Sequence, residues 1–249
     1  MKKRIYLLLL SVTVIFFSCK DNSEFVEQLF TDNEISIALR QCIDSAAFYT
    51  CNALCVVDSG LNPKLGYNYY DSKSYRIELP AAAKNIVDTI LAYATDEMDS
   101  LRINSLKDNI IYIMNRAAEQ CGNNLMRQFW KPTSDSTKFP KPNAILRGGD
   151  DAITNFVKQN YQTEFILVLV NSILKEQFDS LQVITTWNEL QKEYLDITGV
   201  YSSIDILTPA AQQMVAGFFR KMATEEGLIR HDAGRRGSPN GLFYRVFNY

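Results

Sequence analysis

The stretch from Ala144 to Phe156 reads Ala-Ile-Leu-Arg-Gly-Gly-Asp-Asp-Ala-Ile-Thr-Asn-Phe and lies between two long helical patterns. Gly148 and Gly149 disfavour a continuous helix, because two adjacent glycines cost about 2 kcal/mol relative to alanine. A carboxylate from Asp150 or Asp151 can accept hydrogen bonds from the free N–H groups of the next helix. We therefore predict a helix, a hinge at the two glycines, and a helix capped by one of the aspartates.

Helical patterns continue on both sides of this stretch. Thr31-Asp32-Asn33-Glu34 has the pattern of a capping box, and apolar residues follow at helical spacing to about residue 55. Thr186-Trp187-Asn188-Glu189 has the same pattern and predicts a second helix start. Prolines within the polar segment 131–142 predict a linker. Further helices are predicted over about 96–129, over about 151–161, and after Pro80 and Thr208, by the spacing of their apolar residues.

The segment Phe165–Val170 is apolar on every side, which predicts a helix buried all round. Strand patterns are nearly absent from the sequence. The predicted fold class is therefore all-α. We expect one domain over residues 32–249, with about six to eight helices around a buried central helix near 163–181.

The N-terminal residues predict a location in the cell envelope. Lys2-Lys3-Arg4 precede an apolar run from Ile5 to Phe17, which is short for a membrane span but suits a signal peptide. Phe16-Phe17-Ser18-Cys19 resembles a bacterial lipoprotein box, so we predict a signal peptide over 1–18, lipid attachment at Cys19 and a flexible tether over 19–31. The alternative is an ordinary secretory signal with an incidental cysteine. The expected location is the outer membrane of a Gram-negative bacterium, facing the periplasm or the cell surface.

The composition of the chain limits the classes of partner that we expect it to bind. The formal net charge is −2, and the predicted signal peptide carries three basic and no acidic residues, so the remaining chain is more acidic. A mildly acidic chain is a poor nucleic-acid binder, and we expect none as a partner. Hydrophobic residues make up 47% of the chain, which is ample for a core. The expected partners are the membrane, through the lipid, and an unknown envelope protein or small ligand.

Four cysteines follow the predicted lipid site: Cys42, Cys51, Cys55 and Cys121. Disulfides are permitted outside the cytoplasm. Side chains four residues apart on a helix are too far separated for a comfortable bridge, which disfavours a Cys51–Cys55 bond. The favoured bridge joins Cys121 to one of the three upstream cysteines, and the sequence leaves the pairing open. A thiolate metal site is the alternative, but it lacks a fourth ligand, so we assign no metal and no cofactor.

The sequence contains no familiar catalytic or nucleotide-binding motif. The candidate polar centre consists of Arg116, Glu119, Asp150 and Asp151. Two carboxylates could perform acid–base chemistry, as in glycoside cleavage, or hold a hard cation. The favoured interpretation is structural, with an aspartate as a helix cap and Arg116 in an ion pair with an acidic neighbour. His231 lies in a segment rich in glycine and arginine, where we expect a solvated loop. No catalytic residue is assigned.

Several blocks together resemble an uncharacterised bacterial family, domain of unknown function 4197. They are Gly66-Tyr67, Arg76–Pro80, Met114–Glu119, Ile145–Ala152, and Glu225-Glu226 with Ile229-Arg230. The resemblance covers roughly residues 32–247 and implies a helical envelope lipoprotein without an established activity. The chain departs from the family pattern over 232–241, where other members usually have a proline and a short threonine-rich turn.

The sequence favours a non-catalytic binding or scaffold module in the cell envelope. The alternative function is a carboxylate-based hydrolase acting on envelope glycans. An open cleft that holds Glu119 and Asp151 together would favour the hydrolase. A closed and paired cluster would favour the binding module.

Overall fold

The structure, a computed structural model, describes residues 30–56, 65–68 and 73–248. Within these residues it contains helices and no strands, which confirms the all-α fold class. The α-helices are α1 (Asp32–Leu54), α2 (Ala81–Ala92), α3 (Glu97–Gln120), α4 (Gly122–Asn124), α5 (Lys131–Ser136), α6 (Pro142–Leu146), α7 (Ala152–Val168), α8 (Leu174–Ser180), α9 (Val183–Thr198), α10 (Leu207–His231) and α11 (Leu242–Phe247). Two π-helices, Leu125–Trp130 and Leu169–Ile173, and a 3₁₀-helix, Ala233–Arg236, complete the described elements.

Helix α10 packs along both α1 and α7, and α11 crosses α1. A second group of helices consists of α2, α3 and α9, and α8 joins it to α10. Where the first π-helix meets α7 and α10, aromatic rings fill the core. The Phe129 ring stacks on Phe165 at 4.5 Å, and Phe218 meets Phe165 edge-on at 5.5 Å. These contacts join three segments that are far apart in the sequence.

The predicted start of α1 is confirmed. The Thr31 hydroxyl accepts a hydrogen bond from the Glu34 N–H, and the Glu34 carboxylate accepts one from the Thr31 N–H. This reciprocal pair satisfies two N–H groups that the first turn of a helix leaves without partners. Local sequence was sufficient here because both partners lie within three residues.

The segment near 163–181 is helical but is not buried on every side. Phe165 and Leu169 are fully buried, whereas the side chain of Leu167 is 54% exposed. A continuous helical run, formed by α7, the second π-helix and α8, replaces the two separate helices predicted for residues 151–181. An outward-facing leucine explains the apolar pattern, because soluble proteins leave single apolar side chains on their surfaces.

Four further predictions are corrected. Residues Lys131–Ser136 form α5 rather than a linker, and α3 ends at Gln120 rather than near 129. The second capping box is wrong, because α9 has already started when the chain reaches Thr186. There the Thr186 hydroxyl donates to the Gln182 carbonyl, inside the helix. The expected disulfide is absent, since Cys42, Cys51, Cys55 and Cys121 are all free thiols.

The predicted signal peptide, Cys19 and almost all of the tether lie outside the described residues. In the part of the chain that the structure describes, no helix combines the length and the apolar character that crossing a membrane requires.

Candidate functional site

The residues between α6 and α7, numbers 147–151, form an exposed polar turn that we call the 147–151 loop. A Cβ at Gly148 would lie 2.6 Å from the Cβ of Ala152, so the close approach of the chain to α7 requires glycine there. A Cβ at Gly149 would meet only Asp151 Oδ1, at 3.8 Å. The predicted break between two helices is therefore present, and the first of the two glycines is the one that the geometry needs.

The cap of α7 comes from α10. The carboxylate of Glu226 accepts hydrogen bonds from the N–H groups of Ile153, at 3.0 Å, and Thr154, at 2.7 Å. Asp151 occupies the N-cap position, but its side chain makes no capping hydrogen bond. The prediction that Asp150 or Asp151 caps this helix is therefore wrong. Glu226 takes that role because packing of α10 against α7 brings its carboxylate to the free N–H groups.

Arg230 binds the other end of the loop. Its guanidinium donates to the carbonyl of Leu146 at 2.7 Å and to that of Ile145 at 3.3 Å, at the C-terminus of α6. It also pairs with Glu226 at 2.9 Å, one turn away on α10. A cation at a helix C-terminus and an anion at a helix N-terminus both match the helix dipoles. We call the two residues the Glu226–Arg230 clamp.

The clamp is buried. The side chain of Glu226 is 1% exposed and that of Arg230 is 9% exposed. Burial raises the pKa of the Glu226 carboxyl, and hydrogen bonds from Thr154 and Ile153 and the charge of Arg230 act against that rise. This buried pair is unusual on the core-facing side of a helix, where charged residues need hydrogen-bonding partners to be tolerated.

Asp150 and His231 meet on the outer side of the loop. Their side chains approach to 2.9 Å and are 66% and 71% exposed. His231 is the last residue of α10 rather than part of a solvated loop. A Cβ at Gly227 would lie 3.5 Å from the Cβ of Asp150, so α10 passes close beneath this part of the loop. Asp150 and Asp151 thus belong to an exposed surface and not to a buried centre.

Arg116 and Glu119 form the expected ion pair at a different place. Arg116 donates to the Glu119 carboxylate at 2.8 Å, and the N–H of Asn68 donates to the same carboxylate at 3.0 Å. The Glu119 side chain is fully buried. Gly66 has a φ of +89°, and a Cβ there would lie 2.4 Å from Glu119 Oε1. Glycine is therefore required both by the backbone conformation and by the carboxylate.

The four residues of the predicted polar centre do not form one site. Glu119 lies beside Cys55 at the end of α1, whereas Asp150 and Asp151 lie in the exposed 147–151 loop, next to Gly227 of α10. The structure supports the Arg116–Glu119 pair and places the two aspartates elsewhere. Among the described residues, no group of three or more histidine, cysteine, aspartate or glutamate side chains could hold a metal ion.

One family model matches residues 30–248, and its description is protein of unknown function (DUF4197). The chain belongs to this family. Comparison with curated proteins and with solved structures gave no match. The range that matches the DUF4197 family includes the 147–151 loop, the Glu226–Arg230 clamp and the Arg116–Glu119 pair, and it starts after Cys19.

Sequence reasoning missed the clamp in this DUF4197 chain. Glu226 and Arg230 contributed to the resemblance, but no role could be assigned to them. Their capping partners lie more than 70 residues away, and no local pattern announces such a contact. One signal was available in the sequence of α10, where Glu226 falls on the same helical face as the buried Met222 and Ile229. A charged residue on an apolar face is a reason to expect a buried partner.

Proposed function

We propose that this chain is a non-catalytic binding module of the bacterial cell envelope, anchored through a lipid on Cys19, which presents the 147–151 loop to a partner. One observation carries the proposal. The loop is exposed and polar, yet both of its ends are fixed by the buried Glu226–Arg230 clamp. Binding residues are found disproportionately on surface loops that a rigid scaffold holds in place.

Fixing a loop before binding has a clear energetic effect. A partner that binds a mobile loop must order it, and each immobilised side chain costs roughly 0.5–1.5 kcal/mol. The clamp removes part of the ordering cost because the residues that flank the loop, Leu146 and Ile153, are already held. A buried ion pair is also weak as a pure stabilising device, since desolvation offsets much of the attraction. Both arguments favour a role for the clamp in shaping the loop.

The surface of the loop has mixed charge. Arg147, Asp150 and Asp151 are exposed, with the His231 side chain beside them. Such a surface suits a polar partner with charges of both signs and does not favour a strongly anionic polymer. The partner is therefore expected to be an envelope protein or a polar ligand.

The geometry gives no support to the alternative of a glycan hydrolase. Glycoside cleavage uses two carboxyl groups on either side of one bond, roughly 5–10 Å apart. Glu119 is closed off and paired with Arg116, and Asp151 lies on the separate, exposed loop. The arrangement is the closed and paired one, which favours the binding module.

Photo-cross-linking in cells tests the binding role. A photoreactive residue replaces the exposed Asn155, one turn after the loop, and a control probe replaces the exposed Glu164 on the same helix. We expect a discrete adduct at position 155 that disappears when Asp150→Lys and Asp151→Lys are added and is absent at position 164. Equal adducts at both positions, or an adduct that survives both lysines, would contradict the proposal.

The anchor needs a test of its own. Cells that produce the chain are fed labelled palmitate, and the purified protein is examined for the label. We expect incorporation into the wild-type chain and none into Cys19→Ala. Equal labelling of the two chains, or none in either, would refute a lipid on Cys19 and leave the binding role of the loop untouched.

A further inference from the structure

Two thiols converge at the end of α1. Cys51 and Cys55 are four residues apart, and the Cys55 N–H donates to the Cys51 carbonyl at 2.8 Å, so the last turn is closed. Residues with this spacing lie on one face, with Cβ atoms roughly 5–6 Å apart. Cys51 is buried and Cys55 is partly exposed, and both residues line one surface cavity.

A third sulfur comes from the segment after α3. Gly122 packs against Cys55, and a Cβ at Gly122 would lie 2.6 Å from Cys55 Cβ and 3.7 Å from Cys55 Sγ. Met126 follows four residues later on the same helical segment and lines the same cavity as both cysteines. The shared cavity places the Met126 side chain on the same side of this segment as Gly122 and Cys55. The cavity has a volume of about 330 Å³.

The donor set favours a soft, monovalent metal ion. Thiolates and thioethers are soft ligands that select Cu(I), whereas a structural zinc site needs four ligands. Metal–sulfur bonds of roughly 2.3 Å place two sulfurs about 4.6 Å apart when they lie on opposite sides of one ion. A bound metal ion therefore fits two cysteines one turn apart on a helix better than a disulfide does, because the S–S bond of a disulfide measures only about 2 Å.

We propose that Cys51, Cys55 and Met126 bind one Cu(I) ion. On binding, both thiols release a proton to solvent and form metal–sulfur bonds, and the Met126 thioether donates a lone pair. No electron is transferred, so the copper remains Cu(I). This proposal is independent of the proposed role of the 147–151 loop and of the lipid anchor.

The surroundings of the site determine how binding depends on pH. A hydrogen bond with Cys51, burial and the charges of neighbouring groups, Glu119 among them, raise the pKa of the Cys55 thiol. Cysteine binds a metal ion as the thiolate, so copper competes with protons for the sulfur atoms. Affinity is expected to increase as the pH rises.

A chelator competition tests the site in the purified full chain. The reduced protein is titrated anaerobically with Cu(I) in the presence of bicinchoninate, whose copper complex is coloured. The wild type should withdraw one equivalent of copper. Cys51→Ala and Cys55→Ala should each weaken binding by at least about 100-fold, since loss of a group that only hydrogen-bonds to a metal ligand already costs roughly 10–100-fold. Met126→Leu should weaken it by about tenfold.

Cys42→Ala is the matched control, because Cys42 is a buried free thiol on the same helix but lies outside this cavity. It should bind copper as the wild type does. Cys19 remains in every variant, so any contribution from it is constant. Circular dichroism during heating establishes that each variant is folded. Wild-type affinity in both the Cys51 and Cys55 variants, or an equal loss in Cys42→Ala, would overturn the assignment. Wild-type affinity in Met126→Leu would overturn the three-donor site.

Discussion

Glu226 and Arg230 lie one turn apart on α10 and bind opposite ends of the same surface loop. The carboxylate caps the start of α7, and the guanidinium caps the end of α6. One ion pair on α10 therefore fixes where α6 ends, where α7 begins and what shape the loop between them adopts. The four predictions that follow test this arrangement and the separate Arg116–Glu119 pair.

Replacing Glu226 with alanine should strongly destabilise the fold. The change removes the cap of α7, worth about 0.5–2 kcal/mol. It also leaves Arg230 as a buried charge without its carboxylate, and breaking such a pair typically costs about 3–5 kcal/mol. Urea unfolding measures the loss as a lower midpoint with an unchanged slope. Glu164→Ala, at an exposed glutamate of the same capped helix, should stay within about 0.5 kcal/mol of wild type. Equal midpoints for the two variants would contradict the role of the clamp.

The charge of Glu226 should make stability depend on pH. Burial raises the pKa of this carboxyl in the folded chain, so the folded state holds the proton more tightly than the unfolded state. The resulting stability is fully present below the unfolded pKa of about 4.3 and is lost as the pH rises through the raised folded pKa. Glu226→Gln carries no charge at any pH.

The difference in unfolding free energy between wild type and Glu226→Gln should therefore decrease as the pH rises from about 4 toward neutrality. Each pH unit between the folded and unfolded pKa values contributes about 1.4 kcal/mol to that decrease. Urea titrations of both chains at a series of pH values give the difference directly. A difference that grows with pH would mean that the ion pair, and not burial, dominates the titration of this carboxyl.

Arg116→Met should cost far more stability than Asp150→Asn or Asp151→Asn. The arginine pairs with a fully buried carboxylate, and removal of one partner from such a pair costs about 3–5 kcal/mol. Asp150 is highly exposed and pairs with an exposed histidine, which is worth at most about 1 kcal/mol. Asp151 makes no capping hydrogen bond. Melting temperatures of the three variants rank the effects, and a large loss in either aspartate variant would contradict the described geometry.

Alanine substitutions at two glycines with positive φ distinguish the cost of backbone strain from the cost of a steric clash. Gly199→Ala introduces a Cβ into open space at a φ of +68°, so it should cost only about 1–2 kcal/mol of left-handed strain. Gly66→Ala carries similar strain and also drives a Cβ into Glu119 Oε1. It should therefore lose more than Gly199→Ala by about 1–3 kcal/mol, as expected for overpacking. Similar unfolding free energies for both would show that the Glu119 carboxylate moves aside at little cost.

The sequence predicts contacts between residues that are close together in the chain and misses contacts between residues that are far apart in it. The Thr31–Glu34 capping box and the Arg116–Glu119 pair each join residues three apart, and both predictions are confirmed. The cap of α7 was assigned to an aspartate because the sequence offers only local candidates. The true cap arrives from α10 through packing that no periodicity specifies.

The same limit explains the errors in helix boundaries. The predicted helix start at Thr186 is wrong because α9 begins at Val183, directly after its N-cap residue Gln182, which has a left-handed φ of +56°. Capping patterns identify positions that favour a helix start, but they do not exclude an earlier start. The apolar run at 165–170 predicts a helix buried on every side, but apolar residues alone do not reveal which face meets the core.

The two ends of the described domain meet. The guanidinium of Arg245 lies 5.4 Å from the centre of the Phe30 ring, and Phe30, Arg147 and Phe247 line one cavity of about 180 Å³. Eleven residue steps separate Cys19 from Phe30, which limits the reach of an anchored chain to about 40 Å. Under the proposed lipid anchor on Cys19, the short tether keeps the 147–151 loop close to the bilayer. Partners that lie far from the membrane are then out of its reach.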